Sequence, residues 1–291
     1  MKHAFLITAY KDIPSLNRLI DRLSSDFYLY IHIDKKSSIR KSDIQTNKHV
    51  FIYRRYSINW GSFNHLQAVL FLLKKSLKIE PDYVHVITAQ DYLCVTNQAF
   101  DEFFSTRKGK SFMDYVKASE NWWYVVRYKY YWFTDVIVHP KSFDFFSHPV
   151  IRRILKSQKR FKVNRSHLGR FNDDYIYKGL VYVSLYKDAV KEVLNYLKKD
   201  SGFLRSLRYC LIPEEFFFQT ILLNSPLKNS IENENLRYMD WGFRNGISPC
   251  VLDESDYNAI VESGKLIIRK VSDSSRVLLE MLEGREQNGN S

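Results

Sequence analysis

Continuous apolar runs alternate with amphipathic stretches over residues 3 to 95. The runs "HAFLITAY", "FYLYIHID", "HVFIYRR" and "YVHVITAQD" are typical of strands buried on both faces. Between them, "IPSLNRLIDRLS" and "GSFNHLQAVLFLLKKSLKI" repeat leucine and isoleucine at helical spacing. This alternation predicts an α/β fold with a Rossmann-like, mostly parallel central sheet flanked by helices.

The second half of the chain predicts a strand at "GLVYVSLY", a helix at "KDAVKEVLNYLKK" and a last strand at "GKLIIRKV". Residues 110–175 are less regular: "NWWYVVRYKYYWF" shows no clean period, and "RRILKSQKRFKVNR" is compatible with a helix that has an exposed cationic face. We therefore predict one domain over 1–275 with an irregular insertion at about 110–175. A polar, frayed tail is expected over 276–291.

The formal net charge of +12 favours polyanions, nucleotide phosphates or an anionic membrane surface as partners. A basic single-stranded nucleic-acid-binding protein is therefore one alternative, supported by the aromatic residues interleaved with cations at 120–170. The three scattered cysteines indicate a reducing compartment. Because no apolar window approaches the length of a membrane span, we expect a cytoplasmic protein, with peripheral contact at the inner face of the membrane.

The sequence lacks the motifs of several enzyme classes. Neither GxGxxG nor GxxxxGK[ST] occurs, which argues against a dehydrogenase or a P-loop enzyme, and HExxH and GxSxG are also missing. The acidic pairs Asp173–Asp174 and Asp253–Asp256 resemble turn chemistry. We expect no divalent metal and no other cofactor.

The stretch "LIPEEFFFQTIL" sets two glutamates beside three phenylalanines. Pro213 predicts the start of a helix, so Glu214 and Glu215 fall in its first turn, where the helix dipole favours negative charge. One interpretation is a pair of ordinary helix-start acids. The other is a general base held in a partly apolar pocket, and only one of the two can point into a given pocket because their side chains diverge by about 100°.

Two further places have a structural and a functional interpretation. Asp34 follows the second strand, where an acid commonly binds a nucleotide's ribose or base, yet it is equally explained as a partner of Lys35 or Lys36. Arg269 and Lys270 end an apolar run; strand alternation sends one side chain inward, where it could neutralise a phosphate, but both could also face solvent on an edge strand.

Together these segments resemble a known family. The runs that carry the resemblance are, in order, "HAFLITAYKDIPSLNRLIDRL", "FYLYIHIDKKS", "INWGSFNHLQAVLFLL", "YVHVITAQDYLCVTNQ", "IPEEFFFQTIL", "LRYMDW" and "LIIRKV". They are similar to the core-2/I-branching enzymes (glycosyltransferase family 14), which include β-1,6-N-acetylglucosaminyltransferases and peptide O-xylosyltransferases. The similarity extends from His3 to about Val271. The missing cysteine pairs and membrane anchor fit a bacterial or cytosolic member.

The resemblance implies a glycosyltransferase of the A-type fold (GT-A) that inverts anomeric configuration without a metal. Its donor would be a UDP-sugar, with N-acetylglucosamine or xylose as the sugar. Its acceptor would be a glycan hydroxyl in polysaccharide biosynthesis, on a polysaccharide or a lipid-linked oligosaccharide. A catalytically silent glycan-binding relative is a second alternative, against which the presence of Glu215 and Lys270 argues.

The family's functional residues map onto this sequence by motif. Glu215 matches the catalytic base, and Asp34 with Tyr10 lies where the uridine is held. Lys270 matches the lysine that binds the diphosphate, which Arg269 would assist. Acceptor contacts are expected from Arg127, Tyr128, Trp241 and Phe243, and further cleft candidates are Trp60, Gln90, Asp91 and Glu214.

The sequence also departs from the family pattern. Leu93 replaces a proline usual after the "QDY" turn, and the customary "ARKF" ending is "IRKV" here. An upstream arginine that binds the diphosphate has no clear counterpart, and Arg244 is the candidate for this role.

Overall fold

The computed structural model describes residues 1–135, 149–165, 173–244 and 247–288. Its strands are β1 (His3–Ala9), β2 (Tyr28–Ile33), β3 (Val50–Tyr53), β4 (Tyr83–Thr88), β5 (Asp91–Leu93), β6 (Ser111–Met113), β7 (Val116–Lys117), β8 (Tyr177–Lys178), β9 (Ser184–Tyr186), β10 (Ile231–Asn233), β11 (Arg237–Met239) and β12 (Ile267–Arg269).

The helices between them are α1 (Ile13–Leu23), α2 (Phe63–Ser76), α3 (Asn97–Ser105), α4 (Trp122–Lys129), α5 (Pro149–Arg160), α6 (Lys187–Lys199), α7 (Ser201–Ser206), α8 (Glu214–Leu223), α9 (Tyr257–Ser263) and α10 (Arg276–Asn288).

A seven-stranded sheet in the order β10-β6-β9-β4-β1-β2-β3 forms the centre of the fold. Its strand pairs are parallel except that β9 runs antiparallel to β4 and β6. The predicted mostly parallel α/β sheet flanked by helices is therefore confirmed. Because parallel strands bring their carboxyl ends to one edge, the residues that follow β1, β2 and β4 lie at the same edge of the sheet.

The side chains of β1 explain the layers on either side of the sheet. Ala4 and Leu6 join a core cluster with α2, α6 and α8, whereas Phe5 and Ile7 join a second cluster with α1, α3 and α10. Strand alternation sends successive side chains to opposite faces, so a strand covered on both faces is apolar at most positions.

A small sheet carries a second set of candidate residues to the same edge. Its order is β11-β12-β5, with β12 antiparallel to β5 and Arg269 directly opposite Asp91. Strand β5 follows the end of β4 after a two-residue turn, so β12 and the following Lys270 are attached to the carboxyl end of β4.

The insertion and the tail differ from the expectation. Strand β6 lies in the central sheet, so the irregular region begins only after it, and residues 136–148 and 166–172 of that region lie outside the described residues. The segment expected to be frayed forms α10, because Leu278, Leu279 and Leu282 are buried against the core. Cys94, Cys210 and Cys250 are all buried, and none of them is in a disulfide.

Candidate active site

The carboxylate of Glu215 is held by two cations. Glu215 Oε2 accepts a hydrogen bond from Arg127 Nη2 at 2.8 Å, and Lys178 Nζ lies 3.5 Å from the same oxygen. The Glu215 side chain is 16% exposed. Neither contact involves Oε1, so one oxygen of the carboxylate is fixed by the protein and the other has no partner within the described part of the chain.

Arg127 is itself fixed by the segment that leads into α8. Its Nε donates to the carbonyl of Leu211 at 3.3 Å and its Nη2 to that of Ile212 at 3.4 Å. The guanidinium lies over the Phe216 ring, 5.0 Å from the ring centroid. The phenylalanines therefore pack α8 into the core and hold the arginine that orients Glu215.

Lys178 reaches Glu215 because the chain passes very close to α8 at the next residue. The Gly179 amide donates to the Glu215 carbonyl at 2.8 Å, and a Cβ at Gly179 would lie 1.9 Å from the Asp114 carbonyl oxygen. Only glycine allows this approach. Burial raises the pKa of Asp114, whose side chain also interacts electrostatically with Lys178 and Glu215.

Glu214 has a different role from its neighbour. It is buried, and its Oε1 lies 2.7 Å from His65 Nδ1, while the other histidine nitrogen lies 3.3 Å from Thr8 Oγ1. This ties the first turn of α8 to α2 and to the end of β1. Glu214 is therefore a buried structural acid, and Glu215 is the one with a solvent-accessible carboxylate.

Arg269 and Asp91 form a buried ion pair beneath the same edge. Arg269 Nη1 lies 3.2 Å from Asp91 Oδ1 and also donates to Thr88 Oγ1. Its guanidinium lies over the Tyr182 ring at 4.9 Å from the centroid. Arg269 is thus the inward-facing member of the Arg–Lys pair, and its charge is already neutralised by Asp91.

These side chains form a polar row along the edge of the sheet. It runs from Glu214 through His65 to Thr8, and Thr8 lies beside Thr88 in the parallel register of β1 and β4. Thr88 accepts the hydrogen bond from Arg269. The helix that carries Glu215 and the strand that precedes Lys270 are therefore joined through the ends of two central strands.

Lys270 lines a cavity of about 420 Å³ above this row. The cavity is lined by residues that follow β1, β4, β11 and β12: Tyr10, Lys11, Asp12, Gln90, Arg244, Ile247, Val251, Lys270, Ser272 and Ser274. Burial, with help from the nearby charges of Arg269 and Lys11, lowers the pKa of Lys270 to about 8. The volume of the cavity lies within the usual range of about 300–1,000 Å³ for small-molecule sites.

Lys11 and Lys270 are the cations in this cavity that can receive an anion. Within the described residues, no carboxylate lies at ion-pair distance from either ammonium group. Arg244 differs, because its guanidinium contacts three carboxylates, at 3.2, 2.9 and 2.8 Å: those of Asp240, Asp253 and Asp256. Arg244 therefore cross-links its own loop. Lys11, which the sequence did not single out, is the second cation in the cavity that is open to an anion.

Glu215 does not line the cavity that contains Lys270 among the residues that the structure describes. The two groups lie at the same edge of the sheet but are not in one enclosed space. A ligand that contacts both has to extend from the cavity across the edge toward α8, which suits an elongated molecule better than a compact one.

Asp34 is explained by the backbone around it. It is 7% exposed, and its Oδ1 accepts from the amide nitrogens of Lys36 at 2.9 Å and Ile58 at 3.2 Å. The carboxylate therefore fixes the loop after β2 through main-chain bonds, and no lysine ammonium is at ion-pair distance from it within the described residues. Tyr10 is 55% exposed at the rim of the cavity.

The residues expected at the acceptor site fall into two groups. Trp241 and Phe243 are 58% and 66% exposed on the loop after β11, and Trp60 is 37% exposed in the turn before α2. Arg127 and Tyr128, in contrast, are buried: Arg127 holds Glu215, and the Tyr128 hydroxyl donates to Asp173. Because both are buried, neither is placed to touch a ligand at the surface. A motif match locates a residue on the chain but does not report its burial.

No group of three or more histidine, cysteine, aspartate or glutamate side chains that could hold a metal ion occurs in the described ranges. None of the helices in that part of the chain is long and apolar enough to cross a membrane.

Comparison with known proteins places the chain in a family. The model of the core-2/I-branching enzyme family matches residues 3–261. The chain is similar to xylosyltransferase sqv-6 of Caenorhabditis elegans (24% identity, 75% of this chain, 26% of the relative) and to xylosyltransferase 2 of the dog, Canis lupus familiaris (25% identity, 83% of this chain, 26% of the relative). It thus spans about a quarter of the length of these curated relatives.

A structural neighbour is the apo structure of the bifunctional glycosyltransferase WbbM, which is 11% identical with a TM-score of 0.39 and covers 94% of this chain and 46% of its own. The family match includes α8 with its two glutamates and the ends of β1 and β4. The expectation from the sequence is confirmed: this chain belongs to the core-2/I-branching enzyme family.

Proposed function

We propose that this protein is an inverting glycosyltransferase that moves a sugar from a UDP-sugar to a hydroxyl of a glycan acceptor without a metal ion. The observation that carries the proposal is the cavity at the carboxyl ends of β1 and β4, in which two lysine ammonium groups have no described carboxylate partner. Unpaired fixed cations at the ligand-binding edge of a parallel sheet suit a diphosphate.

In this proposal Glu215 is the general base. Its Oε2 is held by Arg127, so Oε1 accepts the hydrogen bond from the acceptor hydroxyl and takes its proton as the hydroxyl oxygen attacks the anomeric carbon. The bond from the anomeric carbon to the diphosphate oxygen breaks on the opposite face. One positioned carboxylate suffices for such a single displacement, and general-base assistance contributes about 10²–10⁴-fold to the rate.

The leaving diphosphate gains charge as its bond breaks, and Lys270 and Lys11 would stabilise that charge. The Lys270 ammonium is partly buried after β12, and a positioned cation needs little reorganisation when the charge develops, so it can replace a metal ion. Arg269 supports this arrangement from below, because its pairing with Asp91 fixes the strand end that presents Lys270.

The remaining candidates take supporting roles in the same proposal. Tyr10 at the cavity rim and Asp34 at the neighbouring strand end would bind the uridine. The exposed rings of Trp241 and Phe243 would pack against the acceptor sugars. Xylose is a donor sugar to test first, because the two relatives named above are xylosyltransferases. N-acetylglucosamine is the other, because the family resemblance implies it as well.

The proposal is tested with a panel of nucleotide sugars in excess chelator. We expect one UDP-sugar to raise the melting temperature and to be consumed when a glycan acceptor is added, with no requirement for manganese. A protein that binds no nucleotide sugar under these conditions, or that transfers only after a divalent ion is added, contradicts the proposal.

A further inference from the structure

One face of α5 is entirely cationic. The helix contains no acidic residue. At about 100° per residue, its five basic residues fall within an arc of about 120°. This α5 cationic face consists of Arg152, Arg153, Lys156, Lys159 and Arg160.

The charges of this face have few partners among the described residues, where the Arg160 guanidinium lies over the Phe161 ring, 6.0 Å from its centroid. All five side chains are exposed, and no described carboxylate lies within the 4.0 Å of an ion pair from any of them. Lys162, just after the helix, is exposed as well. Keeping this many unpaired like charges close together is unfavourable for the isolated protein, so the face suits an anionic partner.

The opposite side of α5 is firmly attached to the fold. Ile151 is buried in a cluster with Trp132 and Leu211. The Gln158 side chain exchanges two hydrogen bonds with the backbone of Tyr131, at 2.8 Å and 3.0 Å. These contacts fix the orientation of α5, so its cationic face points away from the protein.

Apolar side chains flank the cationic face at both ends of the helix. Val150 is 45% exposed before it, and Phe161 and Val163 are 71% and 46% exposed after it. A cluster of this many basic residues on one helix is typical of a surface that binds anionic lipid headgroups, and neighbouring apolar side chains can enter the headgroup region. Single-stranded nucleic acid is instead bound on platforms of several stacked aromatic rings, and the described stretch 149–165 contains one phenylalanine.

We propose that the α5 cationic face docks this protein on the surface of an anionic lipid bilayer, with Phe161 and the two valines entering the headgroup region. The face is close to the proposed active site, because Leu211 packs against Ile151 and its carbonyl accepts a hydrogen bond from Arg127, which holds Glu215. Docking on this face therefore brings the part of the protein that carries Glu215 to the bilayer surface. If the proposed function holds, the acceptor is a lipid-linked glycan.

The test is flotation of the full chain with phosphatidylcholine vesicles, with and without phosphatidylglycerol. The wild-type protein is expected to float only with the anionic vesicles, and less as salt is raised. The triple variant Arg153→Gln, Lys156→Gln and Arg160→Gln is expected to lose on the order of a hundredfold in vesicle affinity, at about fivefold per charge. Phe161→Ser is expected to weaken the binding that remains at high salt.

The matched control removes the same charge elsewhere. Lys78→Gln, Lys198→Gln and Lys199→Gln change three exposed lysines on other elements and should leave flotation unchanged. Equal loss in both triple variants would overturn the proposal, because it would show an effect of net charge alone. So would binding to single-stranded DNA or to an anionic polysaccharide without flotation. Since flotation needs no nucleotide sugar, its result is independent of the proposed transfer reaction.

Discussion

Lys270 supplies the most quantitative prediction, because its charge depends on pH near neutrality. Burial and two neighbouring cations lower its pKa to about 8. The ammonium is therefore about nine-tenths charged at pH 7 and about one-tenth charged at pH 9. The last proton of a terminal phosphate has a pKa of about 6, so a diphosphate is about nine-tenths ionised at pH 7 and fully ionised at pH 9, and it binds the charged form of Lys270. The dissociation constant of UDP should consequently rise about tenfold between pH 7 and pH 9.

Substitution of Lys270 by methionine keeps most of the side-chain length and removes the charge. A hydrogen bond to a charged group contributes about 1.5–3 kcal/mol, so Lys270→Met should weaken UDP binding about 10- to 150-fold at pH 7. The variant should also lose most of the pH dependence between pH 7 and pH 9, because the titrating group is gone. Lys11 remains and accounts for residual binding.

Isothermal titration calorimetry with UDP in excess chelator measures both effects. In buffers of different ionisation enthalpy, the wild-type protein should take up protons when UDP binds at pH 8 to 9, since the bound phosphate restores the charge of Lys270. Lys78→Met, an exposed lysine after α2, is the matched control and should bind as the wild type does. Unchanged affinity in Lys270→Met, or a pH-independent wild-type affinity, would refute the assignment of the diphosphate to this cavity.

Two further predictions concern the stability of the fold. Arg127→Met should lower the free energy of unfolding by about 3 kcal/mol, because the carbonyls of Leu211 and Ile212 and the Oε2 atom of Glu215 lose the hydrogen bonds from its guanidinium. Urea unfolding measures this loss. Arg127→Lys, which keeps the charge, should recover part of it. Acid should destabilise the fold, since burial lowers the pKa of both His3 and His32 from 6.5 to about 4. The unfolded chain then binds more protons than the folded one between pH 6.5 and 4, so stability is lost as the pH falls through this window. His3 alone contributes about 2 kcal/mol of loss at pH 5, and equal unfolding free energies at pH 7.5 and pH 5 would contradict this.

The central strands could be predicted from the sequence because both faces of β1, β2 and β4 are buried, which makes most positions apolar. The tail was misjudged for the opposite reason. Over residues 276–285 of α10, the buried side chains are Leu278, Leu279 and Leu282, and the charged residues around them make this narrow apolar stripe hard to recognise.

The candidate site was predictable where a residue follows a strand or opens a helix. Lys11 could have been found by the same rule that selects Tyr10, since both follow β1 directly. Lys178 could not, because its contact with Glu215 depends on the close passage of Gly179 beside α8, between segments that are distant in sequence. The buried state of Tyr128 likewise results from tertiary packing, which no local pattern reports.

The central claim is that one carboxylate, Glu215, accepts the acceptor's proton and that no metal ion takes part. The most direct measurement is the turnover number of Glu215→Gln in excess chelator with the accepted UDP-sugar, beside Glu232→Gln as a surface control. We expect a loss of about 10²–10⁴-fold in Glu215→Gln, with UDP affinity within about twofold of wild type. Turnover at the wild-type rate in that variant would contradict the claim, as would transfer by the wild-type protein that stops on chelation.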